Sequence, residues 1–297
     1  MMDAALFASA LGALTPILFA ALAGALCQRA GVFNISLEGT MLVGCFAGVA
    51  GSWYGGSVWV GVLAAALAGT AYSLVLAVGT ITFRGDAVVL GVAVNLLAVG
   101  LTSFLVQTVF GTRGTFSDPA LAGLDPLTVP GLSEVPFLGE VLSGHSALVY
   151  LSWLAVPVLA VFLGRHPWGL RLRGVGERPE AAASLGVPVD RYRYGAILAA
   201  GALCGLAGAQ LALGNVTLFS ENMTAGRGWI AVVAVLLGRA LPYGVLAAAV
   251  LFGLAEAAGF RLQGLGLPQQ ATDAAPYVVT LVALFVFSAR RTVKRST

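Results

Sequence analysis

The chain has 297 residues, of which 59% are hydrophobic and only 10% are charged, and its mean hydropathy is +0.93. Because long apolar runs recur along the whole chain, this composition excludes an ordinary water-soluble enzyme and predicts an all-α, polytopic membrane bundle. The net charge of +3 comes from basic residues beside the apolar runs, which indicates membrane topology rather than a nucleic-acid partner.

Nine apolar runs are predicted as membrane helices, of which some are discontinuous. They cover approximately residues 4–27, 39–53, 58–83, 87–110, 146–164, 194–214, 228–238, 243–260 and 274–288. The first run lacks a basic start, so we expect a retained span rather than a cleaved signal. At about 20 residues per span, little remains for a soluble domain, and we expect residues 1–297 to form a single transmembrane domain.

Two long connections differ in charge and therefore predict the orientation in the membrane. The segment 111–144 is polar and carries four acids, whereas the segment 165–193 carries six arginines. The positive-inside rule places 165–193 and the basic C-terminus in the cytoplasm, and 111–144 outside. Counting spans from these anchors places the N-terminus outside as well.

Polar residues interrupt the apolar sequence between the first two runs. The interruption, residues 31–41, contains an amide, a hydroxyl and a carboxylate, namely Asn34, Ser36 and Glu38. A charge at membrane depth costs several kcal/mol unless it faces protein or water. Gly31 and Gly39 also allow the backbone to leave the helix. The stretch therefore predicts the break of a discontinuous helix.

The short seventh run resembles the second. Gly39 and Gly228 each open an apolar run that ends 15 residues later at a Tyr-Gly pair, and Glu38 and Arg227 precede the two glycines. On the predicted topology the two runs point in opposite directions, so we expect an inverted repeat of half-helices that start near the midplane, with both charges close to a transport pathway. Alternatively, each charged residue only caps its helix or pairs with a neighbour.

Several kinds of chemistry are not expected of this chain. Lys294 is the only lysine and no P-loop motif occurs, so any ATP must be bound by another chain. His145 and His166 lie at the ends of runs without metal-ligand spacing, and we expect neither a metal nor a cofactor. The cysteines all lie in apolar runs and predict packing residues: Cys27, Cys45 and Cys204.

The arginine-rich segment contains a short predicted helix between Gly176 and Val187. Glu177 to Pro179 favour its first turn, and Gly186 followed by Pro188 ends it. Its apolar positions are too few for a core of their own, which favours docking into the groove of another protein. An ordinary solvated connector is the alternative.

Four ordered motifs carry a family resemblance that covers nearly the whole chain: residues 31–41, 91–102, 176–189 and 225–238. Together they resemble the permease subunits of ABC importers for nucleosides and simple sugars, and most closely the smaller permease of nucleoside systems. The resemblance implies a bacterial cytoplasmic membrane protein that pairs with a second homologous permease. It also implies a cytoplasmic ATP-binding subunit, which would carry ATP and Mg²⁺, and an extracytoplasmic substrate-binding lipoprotein.

The resemblance marks Asn34, Glu38, Asn95 and Arg227 as motif positions without settling their individual roles, and it implies a coupling helix. The coupling helix that contacts the ATPase would involve Glu177, Pro179, Glu180, Ala181, Ala182, Leu185 and Gly186. The substrate pathway is expected to involve Asn34, Ser36, Glu38, Asn95, Gln107, Gln210 and Arg227. Such amides and hydroxyls suit a neutral nucleoside.

Other transport functions stay open at this point. A simple-sugar permease is the nearest alternative, although ribose-type relatives carry an extra N-terminal span that this chain lacks. An ion-coupled secondary transporter would use Glu38 and Glu256 as carriers, and a channel would give flux without nucleotide.

Overall fold

The computed structural model describes residues 4–128 and 138–263. The helices are α1 (Ala4–Arg29), α2 (Leu37–Gly55), α3 (Val58–Ala77), α4 (Ala87–Phe110), α5 (Leu138–Leu142), α6 (Ala147–Arg165), α7 (Pro167–Glu177), α8 (Pro179–Ser184), α9 (Val189–Ala209), α10 (Arg227–Leu237) and α11 (Pro242–Gln263). π-Helical turns extend α3 and α9, over Val78–Thr82 and Gln210–Asn215. Strand β1 (Thr115–Phe116) pairs with β4 (Phe219–Ser220), and β2 (Pro126–Leu127) with β3 (His145–Ser146), both antiparallel.

Eight of the predicted runs are helices in the structure. In the described part of the chain, six helices are long and apolar enough to cross a membrane: α1, α3, α4, α6, α9 and α11. Helix α10 has the 11 residues of a half-helix, whereas α2, with 19 residues, is longer than the half-helix predicted for it. The predicted ninth helix, residues 274–288, lies outside the described residues, so the total of nine stays a prediction.

Helices α1 and α9 form the interior of the bundle. In the most apolar 18-residue stretch of α1, 83% of the residues are buried, compared with 28% in the corresponding stretches of α4 and α6. Helix α9 packs closely against α2 and α3 because glycines stand at the crossings: a Cβ on Gly44 would lie 2.7 Å from the Cα of Gly205. The outward faces of α4 and α6 are consequently available to lipid or to another subunit.

One end of the bundle collects the basic residues. The Arg29 side chain, at the end of α1, donates hydrogen bonds to the carbonyls of Ala240 (2.9 Å) and Arg239 (3.2 Å) in the turn between α10 and α11. The arginine-rich segment packs at the same place, since Gly176 at the end of α7 contacts Gly31. We call this the basic end.

The opposite end is covered by aromatic rings and by the β1–β4 pair. The rings of Phe46 and Phe219 lie 5.7 Å apart, and Trp53 contacts both Phe110 and Phe116 at 5.8 and 5.6 Å. This cluster holds the connection after α4 against the bundle. Helices α2 and α4 therefore end together at this aromatic end.

The arginine-rich connection is more helical than predicted. Pro167 begins α7 in the favourable first position, and the His166 ring accepts the N–H of Trp168 at 3.3 Å. Glu177 forms an ion pair with Arg173 (3.7 Å) at the end of α7, so the predicted short helix begins at Pro179 rather than at Glu177. The sequence did not predict α7, because its apolar residues are too few to distinguish a helix from a loop.

Candidate functional site

The predicted break lies between α1 and α2. Residues 30–36 leave the helical conformation and run along α4, where Ile35 packs against Gly91. Asn95 follows one turn later, about 12 Å from the start of α4 at the usual rise per residue. Helix α2 therefore begins within the bundle rather than at its surface, as a discontinuous helix does.

Two buried amides satisfy the non-helical backbone of the break. The Asn34 Oδ1 accepts hydrogen bonds from the Ser36 N–H (2.9 Å) and the Ser36 hydroxyl (2.8 Å). The Asn95 Oδ1 accepts the Gly39 N–H (2.8 Å), and its Nδ2 donates to the Ile35 carbonyl (3.0 Å). Backbone groups at membrane depth need such partners. These two amides therefore hold the break in shape.

Glu38 binds the N-terminus of the opposing half-helix. Its Oε1 accepts the Gly226 N–H at 2.8 Å, its Oε2 accepts the Gly228 N–H at 2.5 Å, and the side chain is buried. A carboxylate is the favoured partner for the free N–H groups and the positive dipole at a helix start. Glu38 thus caps α10, a different helix from the one that carries it.

The starts of α2 and α10 are in direct contact. A Cβ on Gly228 would lie only 2.5 Å from the Cα of Glu38, so glycine allows the two backbones to touch. From this junction α10 runs to the basic end and α2 to the aromatic end. The structure thereby confirms a pair of opposed helices that start inside the bundle.

Arg227 has a partner that the sequence analysis did not assign to it. Its guanidinium donates to Glu256 Oε1 from Nε (3.0 Å) and from Nη2 (2.5 Å), and Nη1 reaches the carbonyls of Met223 and Thr224 at 3.3 Å. Glu38 and Arg227 are not paired with each other. Each buried charge is instead balanced locally, as charges at membrane depth require.

Two cavities flank the N-terminus of α10. The junction cavity, of about 240 Å³, is lined by Glu38, Gly39, Asn95, Asn222, Gly226 and Trp229 together with apolar residues of α4. The polar cavity, of about 550 Å³, includes His145, Ser146, Gln210, Asn215, Arg227 and Glu256. The two cavities share no lining residue, and four of the seven predicted pathway residues line them: Glu38 and Asn95 the first, Gln210 and Arg227 the second.

The other predicted pathway residues occupy different places. Gln210 is buried, where its Oε1 accepts the Ser146 hydroxyl (2.6 Å) and its Nε2 donates to Asn215 Oδ1 (2.9 Å). Asn34 and Ser36 lie in the break and line neither cavity. Gln107 is exposed on α4, also away from both.

Sequence analysis missed several residues of these cavities: Asn222 and Trp229 in the first, and His145, Ser146 and Asn215 as members of the second. These residues come from separate loops and helix ends, and only the fold brings them together. Glu256 carried a usable signal, because it is a charge within an apolar run, as is Glu38. In the described part of the chain, no cluster of three or more His, Cys, Asp or Glu residues has the arrangement of a metal site.

Residues 6–287 match the sequence profile of a family described as "branched-chain amino acid transport system / permease component". The chain belongs to this permease family. It is a multi-pass membrane transport subunit, consistent with the six membrane-length helices among the residues that the structure describes.

Individual relatives are similar over most of the permease. The guanosine ABC transporter permease protein NupQ of Bacillus subtilis is 35% identical, over 93% of this chain and 89% of its own. The nucleoside ABC transporter permease protein NupC of Lactococcus lactis is 34% identical, over 92% and 89%. The candidate glucose ABC transporter permease protein TsgC13 of Haloferax volcanii is 38% identical, over 86% and 77%.

A solved structure has the same fold. It is described as an inward-facing conformation of a candidate metal-chelate type ABC transporter, with a TM-score of 0.56 and 18% identity. The similarity covers 94% of this chain and 85% of the other. The permease therefore has an ABC transporter membrane fold.

Proposed function

We propose that this permease is one membrane subunit of a bacterial ABC importer for nucleosides, without an ATPase site of its own. The observation that carries the proposal is the chemistry of the junction cavity. Both oxygens of its carboxylate, Glu38, already accept hydrogen bonds from backbone N–H groups, so this carboxylate is occupied by the protein itself. The exposed Trp229 ring and the Asn222 amide are left to stack on and hydrogen-bond a neutral heterocycle.

A second homologous permease is proposed to complete the pathway. The junction cavity opens beside the outward face of α4, where Leu96 is 70% exposed and Val92 and Val99 are also exposed. Two proteins of Bacillus subtilis named as guanosine permeases, NupQ and NupP, both align with more than 90% of this chain. Paired chains of this kind would enclose a substrate between their α4 helices.

We test the substrate by uptake of labelled guanosine, uridine and glucose in cells that express the complete transport operon. We expect saturable nucleoside uptake that is lost when this chain is deleted. Trp229→Ala is expected to raise the KM about tenfold, because stacking of a base on an aromatic ring contributes about 1–3 kcal/mol. Trp59→Ala, at another exposed tryptophan, serves as the control and is expected to leave the KM unchanged.

Other outcomes of this uptake experiment would contradict the proposal. Glucose uptake that depends on this chain would favour the simple-sugar alternative, for which TsgC13 is the relevant relative. Nucleoside accumulation in ATP-free vesicles, driven by a proton gradient, would favour ion coupling. Both candidate ion carriers already have partners: Glu38 accepts backbone N–H groups, and Glu256 pairs with Arg227. These contacts support ATP-driven transport over ion coupling.

The orientation and the coupling helix belong to the same proposal. We place the segment 165–193 and the C-terminus in the cytoplasm, and the segment 111–144 outside, facing the binding lipoprotein. In helix α8, Glu180 and Ala181 are exposed and Ala182 is buried. Leu185, the residue that follows the helix, is 84% exposed. An exposed leucine beside a short helix suits a groove on the ATPase subunit. Glu177, Pro179 and Gly186 set the ends of this element.

Ala181→Trp is expected to reduce uptake at least about tenfold while basal ATPase activity of the assembled transporter is retained. The added ring prevents α8 from fitting into a groove on the ATPase subunit. We expect the free energy of docking to fall by about 1–3 kcal/mol, the usual cost of overpacking. Transport and ATPase activity are measured on the same reconstituted preparation. Ala120→Trp, at an exposed alanine in the segment 111–144, is the control. Equal behaviour of the two variants would contradict the docking role.

A further inference from the structure

A groove at the basic end is separate from both cavities described above. It has a volume of about 480 Å³ and lies between α6, α7 and α9. Its apolar part is formed by Leu26, Phe162, Leu172, Ala196 and Ala199, of which Leu26, Leu172 and Ala196 are buried. Its mouth carries Trp168, Arg171, Arg191 and Tyr192. The groove therefore combines an apolar slot with a basic, aromatic rim.

The groove has the composition that is typical of the boundary between acyl chains and headgroups. Helices α6 and α9 are both membrane-length, and only 28% of the apolar window of α6 is buried within the chain. The rings of Trp168 and Tyr192, whose centroids are 6.0 Å apart, stand at the ends of these helices. Tryptophan and tyrosine are enriched at this level of membrane proteins. The slot is thus continuous with a surface that lipid can reach.

The charge of the rim selects among lipids. Arg171 and Arg191 come from facing elements, α7 and α9, and none of the described residues that line the groove carries a carboxylate. The ion pairs found within the described residues, Arg173 with Glu177 and Arg227 with Glu256, involve neither of them. Two unneutralised guanidinium groups beside an apolar slot match a phosphate attached to an acyl chain.

We propose that this groove binds an anionic phospholipid, with its phosphate between Arg171 and Arg191 and one acyl chain in the slot. The bound lipid braces α7 against α9, immediately before α8 begins. The site does not depend on which substrate the permease carries.

The test uses the purified full chain in detergent, mixed with equimolar phosphatidylglycerol and phosphatidylcholine of identical acyl chains, and counts retained lipids by native mass spectrometry. We expect preferential retention of phosphatidylglycerol by about fivefold for each arginine, since one basic residue near anionic lipid contributes about 1 kcal/mol. The double variant Arg171→Gln/Arg191→Gln is expected to lose the preference. Arg165→Gln, an exposed arginine at the same end that does not line the groove, is expected to keep it.

A second variant tests the apolar slot. Gly195 lines the groove, and a Cβ there would meet no atom within 4 Å, so Gly195→Leu adds an apolar side chain to the groove without a clash at its Cβ. We expect it to reduce retention of both lipids, whereas Gly164→Leu, at an equally open glycine of α6, does not. Equal retention of the two lipids by the unmodified chain would overturn the proposal. Displacement of phosphatidylglycerol by an added ATPase subunit would do the same, because the groove would then be a protein-docking surface.

Discussion

Glu38→Ala is expected to reduce uptake at least about a hundredfold, because two buried N–H groups at the start of α10 would lose their acceptor. Each unsatisfied buried donor costs about 1–3 kcal/mol, so the loss is on the order of 3 kcal/mol or more. The positive end of the α10 dipole would also lose its counter-charge. We expect a lower maximal uptake rate and a lower melting temperature of the purified protein.

Two further variants separate this capping role from direct substrate binding. Glu38→Gln keeps a side-chain acceptor of the same length and is expected to give an intermediate loss of both rate and stability. Glu221→Ala removes an exposed carboxylate that accepts the Gly114 N–H at 3.2 Å, and is expected to have little effect. A Glu38→Ala protein that melts normally and shows only a raised KM would instead identify Glu38 as a substrate ligand.

Gly176→Ala is expected to impair uptake at least about tenfold. A Cβ at Gly176 would overlap the carbonyl of Arg29, so α7 would have to move away from the end of α1. The neighbouring Gly31 has a φ of +77° and cannot easily readjust with its own backbone. Overpacking of this kind costs about 1–3 kcal/mol, which corresponds to a change of roughly five- to a hundredfold.

Gly174→Ala is the matched control, because it lies in the same helix and its Cβ would meet no atom within 4 Å. Replacing glycine by alanine inside a helix stabilises it by about 1 kcal/mol, so this variant is expected to transport normally. Uptake, membrane insertion and ATPase activity are compared for the two proteins. If both variants transport equally well, the contact between Gly176 and Gly31 has no role in function.

The sequence was sufficient to predict the break but not the partners of its side chains. Asn34, Ser36 and Glu38 indicated a break because polar residues in an apolar chain need a special environment. Three of their hydrogen bonds are with backbone N–H groups, which any residue type supplies, so these contacts leave no trace in the sequence. The matched positions of Glu38 and Arg227 in the sequence suggested that the two charges act together. In the structure, Glu38 instead binds backbone N–H groups of α10, and Arg227 pairs with Glu256.

The basic end illustrates a different limit of sequence analysis. Helix α7 has buried residues at Gly169, Leu172 and Val175, spaced three apart on one face, but its other positions mix two arginines and a glutamate with glycines and exposed apolar residues. Such a helix is stabilised mainly by the surfaces of α6, α1 and α9 against which it packs, and its own apolar residues are too few to predict it. The close approach of Gly176 to Gly31 depends on the tertiary fold alone.

The dependence of α10 on Glu38 also bears on how the protein is made. Helix α10 has 11 residues, too few to span a bilayer as an independent segment, and its first N–H groups bind a carboxylate 190 positions earlier in the chain. Contacts between such distant positions form late, since the intervening loop must close first. We therefore expect α10 to settle only after the first half of the protein is already in the membrane.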